Sequence, residues 1–315
     1  MHELINTDKT IRFMRYRIPT LIFSTILVLA SITSLAVNKL NWGLDFTGGT
    51  GIELGYKQNA DLGQVRSVLE QNGFPSAVVQ NFGTQRDVLI RIDAIEGVNA
   101  QQIGDQIVTM MRANSDENVV LRRSEFVSAS VGDELAEQGG LAMLTALICI
   151  LIYIAIRFEW RLAVCAVGAL AHDIIITLGL FSFLRLEFDL TVLAALLAVI
   201  GYSINDTVVI CDRIRENFLK FRKYTSEEVI NGAITDTMSR TVITSLTTVL
   251  VLLALFFLGG QLIHGFATAL LFGVFIGTYS SIFIASSLAF MLGVSREDLL
   301  PPEIEKEGED LDPLP

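Results

Sequence analysis

The sequence predicts an α-helical polytopic membrane protein, in which six transmembrane helices form a bundle that carries one extracytoplasmic α+β domain. Three observations predict this class. The 315-residue chain has a mean hydropathy of +0.53 and only 18% charged residues, against about a quarter in soluble proteins. Six apolar runs reach the roughly 20 residues that a membrane-spanning helix needs. Residues 38–138, between the first two runs, instead alternate strand-like and helix-like patterns.

The first apolar run, residues 18–37, follows a basic segment at residues 1–17. The run is too long for a secretory signal and no small-residue cleavage site follows it, so we expect a retained anchor. Five further runs cover residues 139–156, 162–183, 190–211, 241–258 and 264–292. Short loops make the second, third and fourth runs antiparallel neighbours. We therefore expect transmembrane helices 2–6 at residues 139–292, with a cytoplasmic connector at residues 212–240.

Lysine and arginine are distributed unequally between the two sides of the bundle. The basic side comprises the N-terminal segment, one short loop and the connector, with Lys9, Arg12, Arg15, Arg17, Arg157, Arg161, Arg213, Arg215, Lys220, Arg222, Lys223 and Arg240. The short loops of the other side contain only Arg185. Because basic loops stay in the cytoplasm, we expect both termini there, including an acidic tail at residues 293–315, and residues 38–138 outside.

Residues 38–138 predict a small folded domain. Ile52, Leu54 and Tyr56 alternate like a strand, and further strands are predicted at residues 78–79, 88–92 and 119–127. Helical stripes lie at residues 62–69 and 103–111. The resulting order, βαββαβ, is typical of a ferredoxin-like two-layer fold. No nucleophile, metal cluster or phosphate loop stands out within it. A binding or mechanical domain without chemistry is the favoured interpretation.

Composition argues against several classes of function. The net charge of −11 argues against nucleic acid as a partner. Cys149, Cys165 and Cys211 form no CxxC pair and read as buried small apolar residues. The three histidines are far apart and lack metal-binding spacing. We therefore expect no catalysis, no metal site and no cofactor.

The connector contains two helical patterns. Ile214, Phe218 and Phe221 share one face of a basic helix, which suits an anionic membrane-lipid surface. An interfacial connector is favoured over a docking site for a partner. Thr225 and Glu228 then form a capping box that predicts the start of a second, short helix.

Two carboxylates lie within the apolar runs. Asp173 is near the middle of the third run, and Asp206 lies toward the cytoplasmic side of the fourth. A charge in a spanning helix costs about 2.5–3.5 kcal/mol, and a carboxyl group in apolar surroundings can exchange protons near neutral pH. Both are candidates for an ion pathway, while a carboxylate sealed by a hydroxyl or an arginine would be purely structural. The candidate supporting polar groups are Ser203, Asn205 and Thr207, which add polarity around Asp206, and His172 beside Asp173.

Arg240 is the candidate counter-charge for Asp206. It stands at or just inside the start of the fifth run, apart from the basic connector, and hydroxyl residues follow it. One more cytoplasmic arginine is the simpler alternative. Gly273 and Gly277 form a GxxxG pattern in the last run, continued by Ser280 and Ser281. This pattern predicts close helix packing and no ion role.

Several segments resemble the SecD/SecF family of protein-export membrane proteins. LDFTGGT at residues 44–50 resembles a signature of the family, and AHD at residues 171–173 is similar to a pattern of its SecF members. GYSINDTVVICDRIREN at residues 201–217 and SRT at residues 239–241 resemble the most distinctive SecF segments. The resemblance covers essentially the whole chain and implies membership of the resistance-nodulation-division superfamily.

The resemblance carries specific expectations. It implies half of a twelve-helix unit in a bacterial inner membrane, completed by SecD beside the SecYEG translocon, with YajC and YidC as further partners. It implies that the proton- or sodium-motive force promotes translocation of preproteins and their release outside. It also implies that Asp206 is the ion-responsive carboxylate, Arg240 its gate and Asp173 a supporting polar group. Either H⁺ or Na⁺ suits these residues.

Two other functions fit the same residues. A stand-alone exporter of lipids or small molecules needs two six-helix halves, which homodimerisation would supply. A receptor or anchor would bind through its outer domain alone. Stable homodimers active by themselves would favour the exporter, whereas a silent Asp206→Asn substitution would favour the receptor.

Overall fold

The structure is a computed structural model that describes residues 10–93, 100–114, 119–221, 223–295 and 297–299. Lys9, Arg222 and most of the expected acidic tail lie outside these residues. The described chain contains six helices that are long and apolar enough to cross a membrane, which confirms the count made from hydropathy. A four-stranded sheet lies between the first and the second of them in the sequence.

The elements follow one another along the chain from a short 3₁₀ turn at Phe13–Tyr16. They are α1 (Arg17–Asn38), β1 (Asn41–Trp42), α2 (Leu44–Thr47), β2 (Gly49–Gly55), α3 (Leu62–Gln71), β3 (Val78–Phe82), β4 (Thr84–Ile92), α4 (Ala100–Asn114), β5 (Val120–Val127), α5 (Ala129–Arg157), α6 (Trp160–Leu184), β6 (Glu187–Phe188), α7 (Leu190–Lys220), α8 (Ser226–Leu258), α9 (His264–Ser280) and α10 (Ser286–Met291). A π-helical turn at Ser281–Ala285 joins α9 to α10. Together with a 3₁₀ turn at Gln261–Ile263, these three pieces form the last candidate span, Gln261–Met291.

The bundle has three central helices and three peripheral ones. α6, α7 and α9 pack against one another, whereas α1, α5 and α8 lie outside them and bury little of their apolar surface. Two glycines bring α9 close to α7. A Cβ atom on Gly273 would lie 2.2 Å from Val199 Cγ2, and one on Gly277 would lie 3.1 Å from Ser203 Cβ. The GxxxG pattern therefore does provide close helix packing.

The connector differs from its prediction. α7 continues to Lys220 and α8 already begins at Ser226, so that the two helices form one long antiparallel hairpin. The Thr225–Glu228 capping box is present, but it starts this 33-residue helix rather than a separate short one. Ile214 and Phe218 are buried in the hairpin core instead of lying on lipid. These two residues of the face predicted to contact lipid instead pack against the first turns of α8, whereas Phe221 is exposed.

Helices α5 and α8 both begin before the apolar runs that they contain. α5 begins at Ala129, ten residues before the apolar run, where the Ser128 hydroxyl caps it by accepting from Val131 N. Arg240, which directly precedes the fifth apolar run, therefore lies well inside α8. A helix of 33 residues is about 50 Å long, which exceeds the roughly 30 Å hydrocarbon core of a bilayer. The polar segment of α8 that precedes Arg240 therefore extends beyond the membrane.

Strands β2 to β5 form an α/β domain, residues 49–127. The chain order is β2-α3-β3-β4-α4-β5, the sheet order is β3-β4-β2-β5, and all pairs are antiparallel. α3 and α4 cover one face of the sheet and enclose a core of their own. The other face turns toward the bundle across a cavity of about 530 Å³.

The α/β domain meets the bundle at the loop between α6 and α7. β1 pairs in parallel with β6, so that Asn41 lies opposite Glu187 and Trp42 opposite Phe188. Gly48 and Gly49 follow with φ angles of +63° and +123°, a region that favours glycine. A Cβ atom on Gly48 would lie 2.8 Å from Ala129 Cα. The paired glycines thus let the chain enter β2 while it touches the start of α5.

Candidate ion pathway

Asp173 is the centre of a polar cluster at the meeting point of α6, α7 and α9. Its side chain is fully buried. Oδ2 accepts hydrogen bonds from Ser203 Oγ of α7 at 2.5 Å and from Ser280 Oγ of α9 at 2.7 Å. Oδ1 lies 2.8 Å from His172 Nδ1. All three central helices therefore converge on this one carboxylate.

Asp206 lies one helical turn beyond Ser203 on α7 and is also buried, with 4% of its surface exposed. Its Oδ2 atom has no hydrogen-bond partner within the part of the chain that the structure describes. The buried hydroxyls of Thr207 and Thr241 likewise lack partners among the described residues. A buried polar group without a partner costs about 1–3 kcal/mol, so Oδ2 of Asp206 keeps unused hydrogen-bonding capacity.

Arg240 lies near Asp206 without pairing to it. The guanidinium is close enough to act on the charge of Asp206, yet no ion pair within 4 Å joins Arg240 to a described residue. The residue is exposed on the outer surface of the bundle. The structure thus brings together Asp206 and its candidate counter-charge but leaves them separated.

The supporting residues divide between the two carboxylates. Ser203, expected beside Asp206, bonds Asp173 instead. Thr207 is buried next to Asp206, whereas Asn205 is exposed on the surface of the bundle. His172 contacts Asp173 and packs its ring 6.3 Å from that of Tyr279. Helix periodicity explains this division, because positions 203, 206 and 207 of α7 face the core and position 205 does not.

Two residues of the last span contact the site, although the sequence analysis did not identify them as site residues. Ser280 was assigned to packing alone, yet it donates to Asp173. Tyr279 links His172 to α1, since its hydroxyl lies 3.0 Å from Ser24 Oγ and donates to Thr20 O at 3.0 Å. The available signal was the spacing of Ser280, three residues after Gly277 on the face that approaches α7. The π-helical turn that follows Ser280 is a feature often found at functional sites.

A second polar chain connects α8 to the central helices. Tyr202 donates to Ser245 Oγ at 3.2 Å, and Ser245 lies 2.8 Å from Thr278 Oγ1. This chain runs beside the Asp173 cluster on the side of α8 and Arg240. Among the described residues, no group of three His, Cys, Asp or Glu side chains is placed to hold a metal ion.

Comparison with known proteins identifies the family. Residues 107–295 match the C-terminal region of the protein export membrane proteins SecD and SecF, and residues 33–60 match the SecD/SecF GG motif. The protein translocase subunit SecF of Vibrio alginolyticus is 54% identical over 315 residues, which are 100% of both chains. The chain belongs to the SecF family. SecF of Escherichia coli O157:H7 is 45% identical, and the match covers 98% of this chain and 96% of that protein.

Two solved structures share the fold. SecDF from Thermus thermophilus, described as a translocon-associated membrane protein, superposes with a TM-score of 0.83 at 35% identity and covers 92% of this chain. A SecDF in a super-membrane-facing form gives a TM-score of 0.66 at 36% identity over 90% of this chain. This chain spans 39% of the length of either SecDF chain.

Proposed function

We propose that this chain is a protein-export subunit that works with SecD in a bacterial inner membrane. It uses the proton- or sodium-motive force to promote translocation of preproteins through SecYEG and their release outside. The observation that carries this proposal is the buried carboxylate of Asp206, whose Oδ2 has no hydrogen-bond partner among the described residues, beside Arg240, which forms no ion pair with any of them. One charge that crosses 100 mV supplies about 2.3 kcal/mol, enough to shift a balance between two helix arrangements.

The proposed switch works through the separation of Asp206 and Arg240. While the guanidinium is close, it favours the ionised carboxylate. A small shift between α7 and α8 that separates them leaves Asp206 in apolar surroundings, where it takes up H⁺ or Na⁺. Asp173 supports the pathway by holding α6, α7 and α9 together. This mechanism needs no cofactor and no catalytic residue.

The exposure of Arg240 and Asn205 supports a partner subunit. Charged side chains on spanning helices almost always face a bundle interior or a water-filled cavity, because lipid does not solvate them. Here both residues lie on the outer surface of α7 and α8, so another subunit is required to cover them. SecD fits, since the similar SecDF chains are more than twice as long. SecYEG, YajC, YidC, membrane lipids and the translocating preprotein complete the proposed set of partners.

We also infer that the α/β domain is a ferredoxin-like unit on the outer side of the membrane. Its element order and its antiparallel sheet order, β3-β4-β2-β5, support this assignment. The excess of lysine and arginine at the opposite end of the bundle supports cytoplasmic termini. An experimental structure of the domain with a different strand order would overturn the ferredoxin-like assignment.

The test of the proposed function is Asp206→Asn in proteoliposomes that contain the chain, SecD and SecYEG. The amide keeps the volume and removes the titration, so we expect force-dependent stimulation of export to be lost while assembly with SecD is retained. Arg240→Ala should shift the dependence of export on pH or Na⁺. Asp133→Asn is the matched control, since Asp133 is exposed on α5 outside the cluster.

The result separates the proposal from its rivals. Full stimulation by a normally assembled Asp206→Asn variant would show that the carboxylate is structural, as a receptor or anchor predicts. Ion-driven transport of lipids by purified homodimers, without SecD, would support the stand-alone exporter instead.

A further inference from the structure

The loop between α6 and α7 contacts the base of the α/β domain through hydrogen bonds and aromatic packing. Gly43 N donates to Phe188 O at 2.8 Å, and Leu190 N donates to Asp45 Oδ2 at 3.1 Å. Phe188 packs against Trp42 with ring centroids 5.5 Å apart. The first turn of α7, the helix that carries Asp206, is therefore bonded directly to the segment that leads into β2.

Glu187 extends this contact to the sheet itself. Its Oε1 lies 3.3 Å from Arg91 NH1 of β4, and its Oε2 accepts from Gln80 Nε2 of β3 at 3.2 Å. Arg91 also donates to Trp42 O at 2.6 Å and to Asn41 Oδ1 at 2.7 Å. Both carboxylate oxygens of a loop residue are thus held by the open face of the α/β domain.

This ion pair is withdrawn from water. The side chains of Arg91 and Glu187 are only 11% and 22% exposed, and both line the cavity between sheet and bundle. Burial raises the pKa of Glu187, and the neighbouring Arg91 acts in the opposite direction. Removing one member of such a pair leaves the other buried and uncompensated, which is far more costly than losing an exposed pair.

We propose that Glu187 is the coupling residue that transmits movement of α7 to the α/β domain through Arg91 and Gln80. Asp206 lies roughly 24 Å from the start of α7 at 1.5 Å per residue, and one continuous helix connects the two. The inference rests on the proposed function, because it supplies the path from the ion site to the outer domain. Glu187 acts as a positioning residue and binds neither ion nor preprotein.

The test measures the position of the domain and export in the same full-length protein with SecD in proteoliposomes. Spin labels at Ser67→Cys on α3 and Leu258→Cys at the end of α8, both exposed positions, report the distance between domain and bundle. The background carries Cys149→Ser, because Cys149 is exposed. We expect Glu187→Ala to lower the ratio of docked to undocked domain by about tenfold or more and to reduce force-dependent export.

Three further variants separate coupling from a general loss of structure. Glu187→Gln keeps the side-chain volume and one acceptor oxygen but removes the charge, so docking should weaken less than in Glu187→Ala. Glu187→Arg combined with Arg91→Glu should restore part of both the docking and the export lost in the single variants. Glu70→Ala, an exposed carboxylate of α3, should change neither.

Each outcome decides one proposal. An unchanged distance distribution in Glu187→Ala overturns the coupling role. The role is also overturned if Glu187→Ala loosens the domain but exports normally, while Asp206→Asn abolishes export. Full export by Asp206→Asn overturns the proposed function instead, whatever the distances show.

Discussion

At the scale of single residues, Asp173 and Asp206 have opposite environments in the same bundle. Two serine hydroxyls and His172 occupy the oxygens of Asp173, whereas Oδ2 of Asp206 is buried without a hydrogen-bond partner among the described residues. A satisfied buried carboxylate stabilises the packing around it, while an unsatisfied one costs stability. The first is suited to hold helices and the second to change its charge.

This contrast predicts different effects on stability. Asp173→Ala leaves two buried hydroxyls and His172 without their acceptor, so we expect a loss of about 3 kcal/mol in the free energy of unfolding. Asp206→Ala removes an unsatisfied group and should leave the stability nearly unchanged. Thermal or denaturant unfolding of both variants in the same detergent checks this. An equal loss in the two variants would contradict the contrast.

The carboxylates could be found from the sequence, but their partners could not. Two aspartates in apolar runs are conspicuous because their cost in a membrane is high. Ser203 was expected beside Asp206, since it is only three residues away, yet its hydroxyl bonds Asp173 on α6. Which neighbouring helix a serine faces depends on tertiary packing, and a single helical pattern does not encode it.

At the scale of elements, the contact between α7 and α9 decides the geometry of the site. Val199 lies against Gly273, and Ser203 lies against Gly277 one turn further along. The same approach brings Ser203 and Ser280 to within hydrogen-bond distance of Asp173. Small residues at this crossing therefore position the polar cluster as well as the backbones.

Gly273→Ala is expected to separate α7 from α9. Its Cβ atom would lie 2.2 Å from Val199 Cγ2, so the helices must move apart at a cost of about 1–3 kcal/mol. We expect a lower melting temperature and weaker export. Gly140→Ala on α5 is the control, because a Cβ atom there meets nothing within 4 Å. A melting temperature equal to that of Gly140→Ala would argue that the crossing is loose.

Hydropathy gave the number of spanning helices but not the extent of α8. Its first half is polar, with the capping residue Glu228 and the ion-paired Asp236, so an apolar window starts only after Arg240. This polar part of α8 is helical because Val229 and Ile230 pack against α7 outside the lipid. Helix segments that pack together outside the membrane need only one apolar face each. A search for continuous apolar runs does not detect such segments.

At the scale of the whole molecule, the two ends of the bundle differ in structure and charge. The α/β domain, with a core separate from those of the bundle, contacts the end at Glu187. At the other end of the bundle lie the loop between α5 and α6, the α7–α8 hairpin and the described residues after α10. Ion pairs join these parts, including Arg157 with Asp212 and Arg161 with Asp298. The described basic residues of the short α5–α6 loop and of the α7–α8 hairpin thus lie at the end away from the domain.

This arrangement predicts the orientation in the membrane, since loops rich in lysine and arginine stay in the cytoplasm. An alkaline phosphatase fusion after Glu187 should be active because it is exported, and one near Lys223 should be inactive. A cysteine at Ser67, exposed on α3, should react with a membrane-impermeant maleimide in spheroplasts that carry Cys149→Ser. Lys223→Cys, equally exposed, should react only after lysis. Swapped signals would place the domain inside the cell, where it could not act on preproteins after they cross, and would remove the basis for the proposed role in their release.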